Sequence, residues 1–447
     1  MKTGREIALQ VLKEVDENGA YANIALSHIL EQYRPAPLDR RFITELVYGT
    51  IKARNTLDWI IEKFSSRPLA KMTVWVRNVL RMGVYQLWYL ERVPPSAACN
   101  EAVNLTKRYG HQGTAKFVNG VLRTVARQKA DIRFPSLEED PVQHIALQFS
   151  HPAWMVERWL ARFGREETIR LCQANNETPR LSVRANTLKI TRAALKAALE
   201  KEGLLVEESH WAPEGLILDG FSALGQLAAL QEGLFQVQDE SSMLVAHVLD
   251  PQPGEFIIDA CGAPGGKTTH FAQKMHNEGR IFSLDIHAHK LRLITENCRR
   301  LGIDIVETEA MDARRMHEHL RGQADRVLVD APCSGLGVLR RKPDARWRKT
   351  PEMLRDLPKL QQEILASAAQ CVKPGGILVY STCTIEAEEN EAVIRCFLQA
   401  NPAFSLEPTG KFLPVARQEE MVRLFPQRDG IDGFFIARMK RTENAGA

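Results

Sequence analysis

From its start to about residue 140 the chain returns to an apolar side chain every three or four positions: Ile7, Val11 and Val15, then Ile24, Leu26 and Ile29, then Phe42, Leu46 and Tyr48. That spacing predicts amphipathic helices packed on one core. The same pattern continues over 74–89, 97–109 and 115–127, with Pro94-Pro95 and the stretch from Gly110 to Gly113 as breaks. Residues 131–140, with Pro135 and a run of acids from Glu138, read as a linker. A mixed stretch follows: helices near 154–163 and 167–174, a strand over 181–186, a helix over 192–201, and strands near Leu204, Leu216 and Phe235. From about Asp239 onward, helices alternate with short unbroken apolar runs, the signature of a doubly wound parallel sheet. The expected organisation is therefore an all-α domain over 1–140, a small α/β extension over 141–237 and a Rossmann-like α/β domain over 238–447.

Charge sharpens this picture. The formal net charge is only +4, yet residues 63–133 hold 13 basic side chains against Glu91, Glu101 and Asp131. Such a local surplus is the footprint of a face that binds a polyanion, although solvated helix faces produce the same pattern. Trp75, Tyr85, Trp88 and Tyr89 lie in this stretch at helical spacing, which makes them core residues before base-stacking platforms. The 8 cysteines include no Cys-x-x-Cys pair, so neither a disulfide framework nor a zinc ribbon is expected. Reduced thiols imply a cytoplasmic protein. His287 and His289, like His317 and His319, stand two apart and do not share a helical face, so no metal is expected. The start of the chain lacks a signal-peptide core, and Arg77 and Arg81 interrupt its most apolar stretch, so no membrane partner is expected either.

The candidate chemistry gathers at strand ends. Cys333 follows the apolar run 326–330, and Cys383 follows 376–381; ligands in open α/β sheets collect beyond such ends. The first strand of the sheet leads into Asp259-Ala-Cys-Gly-Ala-Pro-Gly-Gly-Lys-Thr268, a glycine-rich turn before a helix. It misses the phosphate P-loop because Cys261 stands where that motif needs glycine, and it misses the dinucleotide fingerprint because its glycines fall at 262, 265 and 266. What survives is close backbone approach to a ligand and helix N–H groups aimed at it. Asp285 ends the second strand about twenty residues on, where a carboxylate accepts ribose hydroxyls. Asp312 follows the third strand, over the adenine position, and Asp330 ends the fourth. Helix capping explains any one of these acids, but not the whole series.

These residues resemble the RNA (cytosine-5)-methyltransferases of the Nop2/Sun type, and within that family the bacterial enzymes acting on 16S rRNA. The match spans the chain and rests on the glycine loop, Asp330-Ala-Pro-Cys-Ser-Gly335, Arg341-Lys-Pro-Asp-Ala-Arg-Trp347, Tyr380-Ser-Thr-Cys-Thr-Ile-Glu-Ala-Glu-Glu-Asn390 and Arg428-Asp-Gly-Ile-Asp-Gly-Phe-Phe435. The resemblance implies a class I, Rossmann-like methyltransferase domain dependent on S-adenosylmethionine, preceded by a NusB-like helical domain and a small RNA-binding extension. It implies cofactor binding by Cys261, Gly262, Ala263, Pro264, Gly265, Gly266, Lys267, Asp285, Asp312 and Asp330. It assigns Cys383 as the nucleophile toward cytosine C6, Cys333 to collapse of the adduct, and Asp330 to the N3 and amine edge of the base. The implied partner is 16S rRNA, free or in a partly assembled small subunit; no oligomer is implied. Gly262, Ala387 and Lys342 depart from the family's usual alanine, proline and histidine.

The chemistry gives a reason for the thiols. Cytosine C5 is a poor nucleophile, and a soft thiolate adding at C6 turns it into an enamine carbon. A free thiol is only a few per cent ionised at neutral pH, so cations must help, and Lys267 and the run Arg340-Arg341-Lys342 are candidates. Cys99, Cys172, Cys298, Cys371 and Cys396 are expected to be packing residues on helices. Three rivals remain: a transfer RNA methyltransferase of the same family, a non-catalytic RNA-binding or antitermination factor, and a dinucleotide-dependent oxidoreductase, which the glycine spacing disfavours.

Overall fold

The computed structural model describes residues 2–220, 224–415 and 417–443. It forms two compact units, Met1–Glu177 with Leu339–Arg348, and Thr178–Val338 with Lys349–Ala447.

The first unit is helical. Helices Gly4–Glu17, Pro37–Lys52, Arg54–Phe64, Pro95–Tyr109 and Gln112–Gln128 surround Val74–Tyr89, whose buried side chains include Asn78, Arg81 and Gln86 as well as its apolar ones. Thr3 and Thr73 cap the first and the central helix, accepting from the N–H groups of Glu6 and Val76 at 3.2 and 3.4 Å. Gly49 lets the central helix approach: a Cβ there would fall 2.0 Å from the Tyr85 ring. Trp75, Tyr85 and Trp88 pack on this core, while Tyr89 is partly exposed.

Two expectations change here. Ile24 is 61% exposed, because the inward stripe of its helix is Ala22, Ala25, Leu26, Ile29 and Leu30, and position 24 falls between the turns of that stripe. The basic surplus is also partly neutralised inside the unit. Arg81, only 5% exposed, bonds Asp58 at 2.6 Å and lies 3.3 Å from Asp16; Arg77 pairs with Asp16 and Arg108 with Glu6, each at 2.7 Å. All three acids precede residue 63.

The helices Pro141–Gln148, Ala153–Phe163 and Arg165–Ala174 complete the unit, with one detached piece of chain. In Leu339–Arg348 the fully buried Arg346 donates to Ser150 O at 3.0 Å, Asn176 Oδ1 at 2.8 Å and Asn175 O at 3.1 Å, and Trp347 donates from Nε1 to Ile51 O at 2.7 Å.

The second unit holds two sheets. Strands β1 (Leu181–Ala185), β2 (Leu205–Glu208), β3 (Gly215–Asp219) and β4 (Phe235–Val237) form a small antiparallel sheet in the order β2-β3-β1-β4. The large sheet contains β5 (Phe256–Asp259), β6 (Arg280–Asp285), β7 (Val306–Ala310), β8 (Ala324–Asp330), β9 (Val372–Thr382), β10 (Phe404–Glu407), β11 (Val422–Leu424) and β12 (Phe434–Arg441). Its order is β10-β12-β9-β8-β5-β6-β7, with β11 beside β12. Strands β5 to β9 are parallel, but β12 runs antiparallel to β9, β10 and β11, so the sheet is mixed rather than wholly parallel. The chain reaches β12 from β11 without a crossover helix between parallel neighbours, and that short return reverses the strand. The strand order turns between β5 and β8, which makes their carboxyl ends the crevice of the sheet.

Candidate active site

Adjacent strands β8 and β9 run in register, Asp330 opposite Ser381, so the loops that leave them carry Cys333 and Cys383 side by side. The two sulfurs lie 3.4 Å apart and neither is in a disulfide. Next to them Lys267 Nζ donates to Asp330 Oδ2 and Ser381 Oγ to Asp330 Oδ1, both at 2.7 Å. Burial works against the Lys267 charge, yet Asp330 and then Cys383 hold its pKa above the ordinary lysine value. The Cys333 thiol is pushed well up, first by its hydrogen bond with Cys383, then by burial and the negative charge of Cys383, Glu389 and Asp330.

A scaffold behind the sulfurs fixes both loops. Glu389 accepts from Ser334 N at 2.8 Å, from the Ser334 hydroxyl, and from Gln361 Nε2 at 3.0 Å; the Gln361 amide also donates to Pro332 O at 3.0 Å. Tyr380 donates to Glu389 O at 2.6 Å, and Asn390 Nδ2 donates to Thr384 O at 3.0 Å. Burial pushes the Glu389 carboxyl up against these bonds. Backbone completes the clamp: Gly337 N bonds Cys383 O and Gly433 N bonds Gly337 O, and a Cβ on Gly337 would fall 2.1 Å from Gly433 O. Glu389, Asn390 and Gln361 were given no role from sequence; for the first two, the only signal was their position inside the Tyr380–Asn390 motif.

The glycine turn follows β5. Gly262 N bonds Leu284 O, and Gly265 adopts a left-handed φ of 99° just before the helix Gly266–Lys274. A Cβ on Gly262 would meet Ser283 Oγ at 2.0 Å and Asp259 Oδ2 at 3.0 Å, which accounts for the glycine at this position. Ala263 packs against the apolar core and Pro264 O accepts from Asn297 Nδ2 at 3.0 Å. The strand-end acids converge: burial raises the Cys261 thiol, and so in turn do Asp259, Asp330, Asp285 and Asp312. They are engaged differently, however. Asp285 accepts from His287 N at 2.8 Å, whereas both oxygens of Asp312 accept from Arg314, at 2.6 to 3.1 Å. Asp259 takes the Thr268 hydroxyl on Oδ2 at 2.6 Å, and its Oδ1 is buried with no hydrogen-bond partner.

Sequence reasoning missed the side chains that brace the helix of this turn. Arg184 of β1 is fully buried and donates to Gly266 O at 2.7 Å, Gln273 Oε1 at 2.8 Å, Thr269 Oγ1 at 2.9 Å and Gln238. Glu214 receives His247 Nε2 at 2.9 Å and His270 Nε2 at 2.8 Å. These three residues bring metal-competent atoms within 4.8 Å of one another. Lys274 Nζ, however, lies 3.5 Å from His247 Nδ1, the ring atom that donates outward when an imidazole binds metal, so the cluster is a hydrogen-bonded brace.

Of the cysteines expected to be packing residues, Cys99, Cys172, Cys298 and Cys371 are buried. Cys396 is exposed, because Val393, Ile394 and Phe397 form the inward stripe of its helix. No helix among the described residues is long and apolar enough to cross a membrane.

Known proteins share both fold and sequence with this chain. The family model described as 16S rRNA methyltransferase RsmB/F matches residues 246–440, the NusB family model matches 2–127, and the ferredoxin-like domain model of RsmF/B-like methyltransferases matches 151–224. "Probable ribosomal RNA small subunit methyltransferase B" of Bacillus subtilis is 42% identical over 98% of each chain. The protein of the same description from Synechocystis is 38% identical over 99% of this chain and 100% of that one. A crystal structure described as PH0851 has a TM-score of 0.84 at 29% identity, covering 97% of this chain and 98% of that one. A second, described as NSun6 from Pyrococcus horikoshii with SFG, has a TM-score of 0.59 at 27% identity over 66% of this chain and 99% of that one. The architecture is thus a NusB-like amino-terminal domain, a ferredoxin-like extension and a carboxy-terminal methyltransferase domain.

Proposed function

This chain is a methyltransferase of the RsmB/F 16S rRNA methyltransferase family, and we propose that it transfers a methyl group from S-adenosylmethionine to C5 of a cytosine in 16S rRNA, in the cytoplasm, through a covalent bond between Cys383 and C6. The observation that carries this reading is the 3.4 Å separation of the Cys333 and Cys383 sulfurs beside the Lys267–Asp330 pair. The small-subunit substrate named for the relatives and the NusB-like part support the choice of ribosomal over transfer RNA.

The residues fit the cofactor. Asp259 Oδ1 is buried and lacks a donor, a natural partner for the cationic amino end of S-adenosylmethionine, and Asp285 suits its ribose. Ala263, Pro264, Gly265 and Gly266 form the close-approach turn. SFG, bound in the NSun6 structure, is an analogue of this cofactor. When bound, the cofactor supplies an electrophilic methyl group on a sulfonium.

The roles of the two sulfurs follow the family resemblance, and the upward shift of the Cys333 thiol supports them. In this reading Cys333 keeps its proton, and a negative charge on Cys383 would favour the Lys267 cation beside it. Cys383 therefore bonds C6, the electron pair of the 5,6 double bond moves to C5, and C5 takes the methyl group. Asp330, oriented by Lys267 and Ser381, meets the N3 and amine edge as charge builds there. Loss of the C5 proton and departure of the Cys383 sulfur restore the ring. Cys333, 3.4 Å from the leaving sulfur, assists that collapse. The target base must leave its stack to expose C6, which favours a loop or bulge.

Labelled methyl transfer to small-subunit RNA, with bisulfite mapping of the product, tests the reaction. Cys383→Ala is expected to abolish transfer, whereas Cys333→Ala is expected to accumulate a protein–RNA adduct visible as a gel shift. An adduct from the Cys383 variant and none from the Cys333 variant would reverse the two roles.

A further inference from the structure

We propose that Glu389 is a positioning residue for the last step of the reaction, collapse of the covalent adduct, and that it acts by holding the Cys333 sulfur against Cys383. The proposal rests on the roles given to the two sulfurs above and adds a carboxylate which that scheme leaves unused.

The geometry is centred on the thiols. Ser334 follows Cys333 in the chain and Thr384 follows Cys383, and both converge on the one buried carboxylate of Glu389. Glu389 Oε2 accepts from Ser334 N at 2.8 Å, and Glu389 Oε1 accepts from the Ser334 hydroxyl. That hydroxyl has a single proton, so in its 2.8 Å contact with Thr384 Oγ1 the Ser334 oxygen accepts and Thr384 donates. Pro332, on the other side of Cys333, is tied to the same carboxylate through Gln361, whose amide donates to Pro332 O and to Glu389 Oε2, both at 3.0 Å. Cys333 is thus held at the residues before and after it, and Cys383 at the residue after it.

Such a network makes one rigid body of two loops that leave different strands. The Glu389 charge also helps to keep the Cys333 thiol protonated. In the collapse, solvent water takes the C5 proton, the C5–H electron pair rebuilds the 5,6 double bond, and the pair of the C6–S bond returns to the Cys383 sulfur. That sulfur takes the Cys333 proton across the 3.4 Å gap, and water then restores the proton to Cys333. A Cys333 thiol misplaced by about 1 Å fails at this transfer. Attack by Cys383 and methylation at C5 need no proton from Cys333 and continue.

Glu389→Gln keeps the shape of the side chain but removes its charge and one acceptor oxygen, which tests the role. Single-turnover methyl transfer from labelled S-adenosylmethionine to small-subunit RNA should stay within about threefold of wild type, whereas release of methylated RNA should slow about tenfold or more, the scale of one lost charged hydrogen bond. The protein–RNA adduct should then accumulate in denaturing gels, as expected of Cys333→Ala. Because Glu389 acts through Cys333, combining Glu389→Gln with Cys333→Ala should slow release no further than Cys333→Ala alone. Ser334→Ala, which removes one strut and leaves the carboxylate otherwise bonded, should also accumulate adduct, and it carries the test if Glu389→Gln does not fold. Equal slowing of transfer and release in the folded variants, or a double variant slower than Cys333→Ala by the full Glu389→Gln factor, overturns the proposal. Adduct from Cys333→Ala but none from Glu389→Gln or Ser334→Ala overturns it while leaving the function above in place. No adduct from Cys333→Ala sinks the role given to Cys333 and this proposal with it.

Discussion

Burial above all pushes the Asp259 carboxyl up to about 7, despite the hydrogen bond from Thr268. An unfolded aspartate titrates near 3.9, so the native state holds this proton more tightly. The resulting stability is complete below about pH 4 and is lost as pH rises through about 7. Thermal unfolding of Asp259→Asn should therefore lose less Tm than wild type between those limits, and saturating S-adenosylmethionine should shrink the wild-type loss. Identical curves would mean that the carboxyl is already ionised in the free protein. At this scale the sequence was most legible where a residue closes an apolar run, as Cys333, Cys383, Asp259, Asp285 and Asp330 do. It was least legible where a partner arrives from far along the chain. Nothing near Arg184 in sequence marks Gly266 or Thr269 as its acceptors, and nothing near Glu214 marks His270.

The helix Gly266–Lys274 shows how an element is held as well as formed. Its glycine start is readable from the motif, but its orientation depends on Arg184, whose guanidinium is lowered to about 9 by burial and remains charged at neutral pH. Arg184→Lys keeps a cation but cannot reach several acceptors in one plane. It should destabilise the fold by about 3 kcal/mol in urea unfolding, the scale of a broken buried charge network, and weaken S-adenosylmethionine binding by calorimetry. Unaltered cofactor affinity would separate the brace from the turn. The helix predicted over 74–89 coincides with Val74–Tyr89 because Thr73 caps it and its apolar run is long. The reversal of β12 was invisible, since alternation of side chains carries no information about strand direction.

Over the whole molecule, the basic surplus divides between structure and surface. Lys107 and Lys116 are exposed, whereas Arg77 and Arg81 serve Asp16. Filter binding of small-subunit RNA at increasing KCl should give a straight line of log affinity against log salt. Lys107→Ala or Lys116→Ala should each lower its slope by about one if the residue meets a phosphate. Arg77→Ala should instead reduce Tm and leave the slope unchanged. Composition exposed the cluster of charge but could not tell which members were already paired, because the pairing acids lie before residue 63. Nor did any pattern mark Leu339–Arg348 as belonging with the helices rather than with the sheet from which it departs. That excursion has an evolutionary consequence. The backbone passes from one unit to the other after 177, after 338 and again after 348, so a single recombination point cannot deliver either unit whole. A helical half cut at 177 would leave Ser150 O and Asn175 O without Arg346, and a catalytic half grafted elsewhere would carry Arg346 and Trp347 with no seat for them. Separating the two halves therefore costs each of them the contacts of Arg346 and Trp347.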